Sequence, residues 1–510
     1  MKKLLAMLLA LLFVLSCGFA IAESDLDYCE INWYIGSQPP NDADLKIVND
    51  ALNEYLMEKI NCKVKITYMT SPDWVAKMGT MLASGEDCGI VGFGSQSKSD
   101  YVIESQRGSY YPMNEFLDTF AADTKALFPD GVWEGMKVNG NIYGIPSKKD
   151  NGYFISLIYN ADMVEESGIN LDDYHYSNFR DLEELFYDMK EWRDEAHPEM
   201  KDYPIVWNNN LIYPYNFAFE TFLNDSYMAV ANIDGIMDVE GYDTETVFNF
   251  YDTPEFLEFC LQKQKLVADG IYLYDYTDKD DLRKPNNGVC FFIGWGYTYM
   301  QEHLFSDAWT SKMVMSDHIW TETNNYYSAG TAISANCKNP ERAMMVLNLV
   351  NTDPFVATLM RFGVKGVHWD YDANGEMTFN FEGSRNAEVG NRGYYYWYNA
   401  PVGNLTIVNA PKDLVGPNNE MMTEMNRLNA ECVIPSHLGF GFDTSVVTNE
   451  LAACTSIVLE YQEDLANGKC ASQEEVEKIV EEFRAKLHAN GVDTIVEAVQ
   501  AQVDAWRAAK

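Results

Sequence analysis

The sequence lacks the short motifs that mark common enzyme classes. Gly92-Phe93-Gly94-Ser95 contains a Gly-x-Gly, but neither the third glycine of a dinucleotide-binding loop nor the Gly-Lys-Ser/Thr of a P-loop follows it. Gly-x-Ser-x-Gly and His-Glu-x-x-His are absent, and the seven histidines are scattered without metal-ligand spacing. Paired carboxylates carry no argument for a glycosidase, because 77 acidic residues place such pairs throughout the chain. The sequence therefore gives no positive indication of an enzyme.

Positive charge is scarce. The chain of 510 residues has 37 Lys and Arg against 77 Asp and Glu, which gives a formal net charge of -40. A polyanion of this kind repels phosphate backbones and anionic lipid surfaces. Nucleic acid and the membrane surface are therefore excluded as expected partners.

The cysteines form no Cys-x-x-Cys pair, which argues against a zinc ribbon or a thioredoxin-like motif. Nine cysteines follow Cys17, and an odd number leaves at least one thiol unpaired within the chain. Spacing alone assigns no disulfide among them.

Long apolar runs are confined to the N-terminus. Residues 1–3 are positively charged, residues 4–15 are apolar, and Ala20-Ile21-Ala22 has the small-x-small pattern of a signal peptidase site. No later stretch approaches the roughly 20 apolar residues that a membrane-spanning helix needs. We therefore predict a signal peptide over residues 1–22 and an exported protein. Val14-Leu15-Ser16-Cys17 resembles a lipobox, so lipid anchoring through Cys17 is the alternative to free secretion.

Strand and helix patterns alternate over residues 30–93. Strands are predicted at 30–36, 63–68 and 88–93, with helices starting at Asp42 and at Ser71-Pro72. This β-α-β-α-β order predicts a parallel sheet covered by helices, whose ligands bind beyond the carboxyl ends of the strands. The residues expected near that crevice are Ser37, Gln38, Asp73, Trp74, Ser95 and Gln96.

The same patterns continue to the end of the chain without an internal repeat or a low-complexity linker. Strands are predicted at 153–159, 288–294 and 331–335, and helices starting near 161 and 179 and at 254–268, 341–350, 444–466 and 472–509. In the absence of a linker, we expect the chain to form lobes that are joined by several chain crossings and not by one flexible tether.

Several motifs, in this order and spacing, resemble the extracellular solute-binding proteins of ABC transporters, and in particular the sugar-binding lipoprotein group with a helical C-terminal extension. They are Met81-Leu82-Ala83-Ser84-Gly85-Glu86, Tyr111-Pro112-Met113-Asn114-Glu115-Phe116-Leu117, Lys137-Val138-Asn139-Gly140-Asn141-Ile142-Tyr143-Gly144-Ile145-Pro146, the segment 333–343, Gly439-Phe440-Gly441-Phe442-Asp443 and Ala489-Asn490-Gly491-Val492-Asp493. Each motif is weak by itself, and the resemblance extends from about residue 30 to the end.

The resemblance implies an α/β fold of the periplasmic-binding-protein-like type II, with two lobes joined by hinge crossings and a ligand cleft between them. The N-terminal lobe would comprise residues 23–147 and about 329–362. The C-terminal lobe would comprise 148–328 and about 363–510, with the helical extension. Crossings are expected near 147–154 and 326–330.

The function implied is that of a monomeric binding protein that delivers a carbohydrate, expected to be an oligosaccharide, to the permease of an ABC importer, without a cofactor. A secreted glycan-active enzyme is the alternative. Some relatives carry a calcium loop after the helix that ends here near Trp192. Residues 194–202 lack the alternating oxygen ligands of such a loop, so no metal is expected.

Sugar sites combine flat aromatic platforms with polar hydrogen-bonding side chains. Aromatic residues make up 14% of the chain, and Trp295 is the first candidate because Gly294 and Gly296 flank it. The further candidates are Lys148, Asp150, Trp207, Asn208, Tyr297, Trp397 and Asn404. Core packing for the tryptophans, and helix capping or solvation for the polar residues, are the alternatives.

Overall fold

The structure is a computed structural model. It describes residues 26–37, 40–94, 101–152, 155–174, 182–207, 219–223, 226–233, 239–272, 288–295, 309–312, 319–380, 403–411 and 420–509.

Most of the predicted strands are present, with bounds that differ by a few residues. In chain order the strands are β1 Cys29–Gly36, β2 Cys62–Met69, β3 Ile90–Gly94, β4 Lys137–Val138, β5 Asn141–Ile142, β6 Gly144–Pro146, β7 Ile155–Asn160, β8 Val206–Trp207, β9 Phe219–Leu223, β10 Ser226–Asn232, β11 Phe291–Trp295, β12 Trp309–Lys312, β13 Ala329–Ile333, β14 Trp369–Tyr371 and β15 Met377–Phe379.

The helices of the described residues are α1 Asp42–Ile60, α2 Ser71–Ala83, α3 Tyr101–Gln106, α4 Asn114–Phe120, α5 Ala122–Lys125, α6 Asp130–Gly135, α7 Ala161–Ser167, α8 Glu183–Ala196, α9 Pro254–Ala268, α10 Thr323–Tyr327, α11 Pro340–Thr352, α12 Pro354–Phe362, α13 Glu420–Glu431, α14 Thr448–Leu465, α15 Gln473–Ala489 and α16 Val492–Ala508.

The first lobe is built on a five-stranded sheet of order β2-β1-β3-β13-β6. Strand β1 runs parallel to both β2 and β3, which confirms the predicted parallel β-α-β-α-β unit. Strand β13 returns from far along the chain and pairs antiparallel with β3 and β6. Helix α1 buries Val48, Leu52, Leu56 and Ile60 against this sheet, at the three-to-four spacing of one helix face.

Helix α2 begins one residue earlier than predicted, because the sequence pattern Ser71-Pro72 predicts a cap at Ser71 and a first helical residue at Pro72. Thr70 is the N-cap, and its hydroxyl accepts from the backbone nitrogen of Asp73, while Ser71 is the first helical residue. Pro72 lies in the first turn, where its missing N–H costs no hydrogen bond.

The second lobe contains a four-stranded sheet of order β12-β7-β11-β8. Its central strand β7 is antiparallel to β11 and β12, and β11 is parallel to β8. Leu157 on β7, Phe186 on α8 and Phe291 on β11 belong to one buried cluster that holds helix and sheet together.

The helical C-terminal extension packs against α9 and the β9–β10 hairpin. Their shared core is rich in aromatic side chains, including Phe250, Phe256 and Phe483. The predicted continuous helix from 472 to 509 is two helices, because Gly491 adopts φ 99°, a left-handed conformation that ends a regular helix.

The chain beyond residue 362 does not leave the first lobe at once. The β14–β15 hairpin places His368 Nε2 3.2 Å from Asp44 Oδ1 on α1. Further on, Asn404 Nδ2 donates to Asn351 O on α11 at 3.1 Å. Residues 363–380 and 403–411 therefore contact helices of the first lobe, beyond the predicted boundary near 362.

All nine cysteines from Cys29 to Cys470 lie in the described residues and carry free thiols. Among the described helices, none is by itself long and apolar enough to cross a membrane. Taken together, α11 and α12 satisfy length and composition, but they are bent by 84° and contribute buried residues to the first-lobe core.

Candidate functional site

Several strands of the first sheet end at a single edge. Gly94 at the end of β3 pairs with Ala329 at the start of β13, and Pro146 at the end of β6 pairs with Gly330. Strand β1, parallel to β3, also ends at this edge, where Ser37 follows it. This is the edge beyond which parallel sheets bind their ligands.

The second sheet presents a matching edge. Trp295, the last residue of β11, pairs with Ile155, the first residue of β7, and Trp207 ends the neighbouring strand β8 opposite Phe292. Only residues 147–154 separate β6 of the first sheet from β7 of the second. The two strand-end edges therefore both adjoin the chain crossings, and they define the candidate cleft.

Hydrogen bonds join the crossings to one another. Ser147 N donates to Ala329 O at 2.9 Å. Thr321 N donates to Val433 O at 3.0 Å, and Val433 N donates to Ile319 O at 2.8 Å. These contacts involve the predicted first crossing at 147–154 and a segment that starts at 319, ahead of the predicted second crossing at 326–330; we take 319–330 together as the second crossing. Residues 429–440 add a third crossing that sequence analysis missed.

Two first-lobe candidates serve local structure. Asp73 is exposed and accepts from Lys77 Nζ at 2.8 Å and from Thr70 Oγ1 at 2.9 Å. Hydrogen bonds from Lys77 and Thr70 lower the pKa of this carboxyl. Trp74 is 1% exposed and packs in the first-lobe core, so its ring offers no face to a ligand in this conformation.

Three candidates lie on or beside the first crossing. Lys148 Nζ donates to Leu127 O at 2.6 Å, and burial lowers the pKa of its amine. The carboxylate of Asp150 lies 3.9 Å from the Nζ of Lys149. Asn404 pairs with Lys148 in a parallel bridge.

The side chain of Asn404 makes hydrogen bonds within the protein. It is 1% exposed, and its Oδ1 accepts from Thr406 N at 2.9 Å and from Thr406 Oγ1 at 2.7 Å. With Nδ2 donating to Asn351 O, its carboxamide is committed to the protein. The cause is the turn that follows, since Asn404 caps the short 3-10 helix Leu405–Ile407.

Other candidates lie outside the described residues: Cys17, Gln38, Ser95, Gln96, Asn208, Tyr297 and Trp397. Trp207 is the last residue of β8, and Trp295 is the last residue of β11. Ser37 is half-buried at the first-sheet edge, and its nitrogen donates to Ile35 O at 3.1 Å.

A buried hydrogen-bonded pair of a carboxylate and an imidazole near the third crossing was missed from the sequence. Glu220 Oε2 lies 2.8 Å from His437 Nδ1 and also accepts from His437 N at 3.2 Å. Both side chains are almost fully buried. The two residues are 217 positions apart in the chain, so no local sequence signal connects them.

In the described part of the chain, no group of three or more His, Cys, Asp or Glu side chains is arranged to hold a metal ion. The acidic segment after α8 is organised by Arg193, whose guanidinium is fully buried. It donates to Tyr203 O at 2.8 Å, to Gly288 O at 3.0 Å and to Asp194 Oδ1 at 2.7 Å. Arg193 therefore pairs with one carboxylate of this segment and binds two backbone carbonyl oxygen atoms beside it.

The architecture as a whole is the two-lobed α/β fold of the solute-binding proteins. The N-glycan transport solute binding protein (NgtS) of Streptococcus pneumoniae aligns with a TM-score of 0.75 at 20% identity, covering 93% of this chain and 98% of that chain. An extracellular solute-binding protein of Bifidobacterium longum subsp. infantis aligns with a TM-score of 0.60 at 15% identity, covering 94% and 98%.

In sequence, the chain is 24% identical over 493 residues to a protein named carbohydrate ABC transporter substrate-binding protein, from Streptococcus pneumoniae serotype 4. The match covers 92% of this chain and 89% of that protein. Residues 436–508 match a family described as a domain of unknown function, DUF3502. The predicted resemblance to ABC-transporter solute-binding proteins is thus confirmed.

Proposed function

We propose that this protein is the substrate-binding component of an ABC importer, and that it captures an oligosaccharide between its lobes without chemical turnover. The observation that carries the proposal is the convergence of two strand-end edges on one set of crossings, with Trp295 on the second edge. The likeness to a carbohydrate-binding relative over nearly the whole chain supports the same reading.

We infer the class of ligand from the side chains at the strand ends and crossings and from the glycans that a similar protein binds. A tryptophan at a strand end can stack on a sugar ring, and polar groups around the crossings can bind hydroxyls. Crystal structures of NgtS contain Man1GlcNAc in one complex and Man5GlcNAc in another. Glycans containing mannose and N-acetylglucosamine are therefore the first we would test.

Capture would proceed by rotation of the lobes about the crossings. Closure removes the glycan from water and brings together surfaces of both lobes that a permease can recognise only in the closed state. Delivery to the membrane thus depends on a change in conformational population.

Export is part of the same proposal. Processing after Ala22 would release a protein that starts at Glu23, and lipidation would instead leave a diacylglyceryl group on Cys17. Intact-mass measurement of the protein made in its natural host separates these outcomes. A retained Met1–Lys3 segment would contradict export through this signal.

The function is tested by thermal unfolding of the full chain with a glycan panel that includes Man5GlcNAc. A ligand at 100 times its Kd stabilises the native state by about 2.7 kcal/mol, which raises Tm measurably. Calorimetric titration should then give a 1:1 stoichiometry. Chromatography of the recovered glycan is the control, because a cleaved product would favour the glycan-active enzyme instead.

A further inference from the structure

One asparagine on helix α13 contacts the first crossing with its whole carboxamide. Asn429 Oδ1 accepts from Asn151 N at 3.0 Å and from Gly152 N at 3.3 Å. Its Nδ2 donates to Lys149 O at 2.6 Å. The side chain therefore pairs with the crossing much as a peptide unit pairs with a neighbouring strand.

The opposite side of the same segment is held by the second crossing. Asn151 O accepts from Thr321 Oγ1 at 2.6 Å and from Asn325 Nδ2 at 2.9 Å. Asn151 thus lies at the meeting point of three segments, which we call the crossing cluster: residues 147–152, 319–325 and 429–433.

The crossing cluster has little spare room. A Cβ atom on Gly152 would lie 2.7 Å from Ile319 Cγ2 and 3.3 Å from Cys432 Sγ. Asn151 is buried, and its nitrogen shares its hydrogen between Asn429 Oδ1 and Lys149 O, which lies 2.9 Å away. If Asn151 loses one of these hydrogen-bond partners, water can replace that partner only if the segments move apart.

We infer that Asn429 is a positioning residue of the hinge: its carboxamide fixes the first crossing against the third and thereby sets the resting angle between the lobes. The inference rests on the proposed function, because it assigns the crossings the role of a hinge.

The test compares Asn429→Leu with Asn426→Leu in the unliganded full chain. The control carries the same substitution one turn earlier on the same helix, at an exposed position whose Nδ2 reaches Thr406 O only at 3.5 Å. Hydrogen exchange is followed at residues 149–152, in β2 and in α15, and small-angle scattering reports the separation of the lobes.

We expect exchange at 149–152 to be about tenfold faster or more in Asn429→Leu, since hydrogen bonds to that segment are lost. Exchange in β2 and α15 should stay at the wild-type rate, and the radius of gyration should change. If Asn429→Leu matches Asn426→Leu in both measurements, the positioning role is wrong. Equal acceleration in β2 and α15 also overturns it, because it would indicate general destabilisation.

If Asn429→Leu does not fold, Asn429→Ser takes its place, as it removes the carboxamide that bonds Lys149 O, Asn151 N and Gly152 N without adding an apolar side chain. The same change is then expected with smaller amplitude, and no change at 149–152 would overturn the inference. All these measurements are made without glycan. A failed ligand screen therefore counts against the proposed function alone, and an unchanged hinge counts against the role of Asn429 alone.

Discussion

Gly135 and Gly439 lie in backbone contact, which joins α6 of the first lobe to the third crossing. A Cβ atom on Gly135 would lie 3.1 Å from Gly439 Cα, and a Cβ atom on Gly439 would overlap Gly135 itself. Gly439 also has φ 88° and donates its N–H to Thr323 Oγ1 at 2.7 Å. Both space and backbone conformation therefore require glycine at 439.

We predict that Gly439→Ala lowers the free energy of unfolding by at least about 1–3 kcal/mol, the cost of a strained backbone conformation, with the overlap adding to it. Urea denaturation measures the change. Gly441→Ala is the matched control, because nothing lies within 4 Å of a Cβ atom there and its φ is not positive. A stable Gly439→Ala variant would contradict the close contact.

We predict that alanine at Trp295 affects glycan binding, whereas alanine at Trp74 affects stability. Trp295→Ala should weaken glycan binding by roughly ten- to hundredfold, because a stacking contact on the order of 1–3 kcal/mol is lost. Trp74→Ala should instead cost about 3–5 kcal/mol of stability, since that ring is buried, and leave affinity nearly unchanged in the folded fraction. Calorimetric titration beside denaturation curves distinguishes them. Normal affinity in Trp295→Ala would remove that residue from the site.

Arg193 is expected to be essential for stability. Arg193→Met keeps much of the apolar stem but leaves the carbonyl oxygens of Tyr203 and Gly288 without their charged donor. Loss of hydrogen bonds to a buried charge predicts at least about 3 kcal/mol of destabilisation in urea. Arg107→Met is the comparison, since its exposed pair with Glu104 should contribute less than about 1 kcal/mol.

The same substitution should also affect a neighbouring carboxyl. Burial raises the pKa of Asp194, but hydrogen bonds from Lys190 and Arg193 outweigh it, so the pKa ends below its usual range. Without Arg193, the pKa of Asp194 should rise. A pKa that stays unchanged in NMR titration would contradict the pairing.

His488 predicts a pH dependence in the C-terminal extension. Its Nδ1 lies 3.0 Å from Asp493 and its Nε2 lies 3.1 Å from Asp252. The hydrogen bond to Asp493 is the main cause that raises the pKa of His488 above the usual value of 6.5. A raised folded-state pKa means that the stabilisation is fully present below the unfolded-state pKa and is lost as pH rises through the folded-state pKa.

Melting curves of the wild type and His488→Asn should therefore differ most at about pH 5.5 and converge by about pH 8.5. Asp493→Asn removes the main partner and should reduce the same difference. A gap between wild type and His488→Asn that is constant over this range would argue against the charged pair.

Local pattern was enough to predict several elements of this protein. The spacing of Val48, Leu52, Leu56 and Ile60 predicts α1, and the alternation of β2 predicts a strand, because both depend on which face of one segment is buried. Helix α9 agrees with its predicted bounds of 254–268, since Thr253 and Pro254 mark its start. Order along the chain then determined the parallel β1–β2–β3 unit and the resemblance to solute-binding proteins.

The tertiary structure decided which residues meet. Strand β13 joins the first sheet, Asn429 reaches Asn151, and Glu220 pairs with His437, all across more than 200 residues of sequence. It also assigned Trp74 and Asn404 to packing and capping, roles that composition cannot separate from ligand binding. The physical reason is that burial and hydrogen-bond partners depend on contacts between distant segments, whereas periodicity and capping depend only on neighbours.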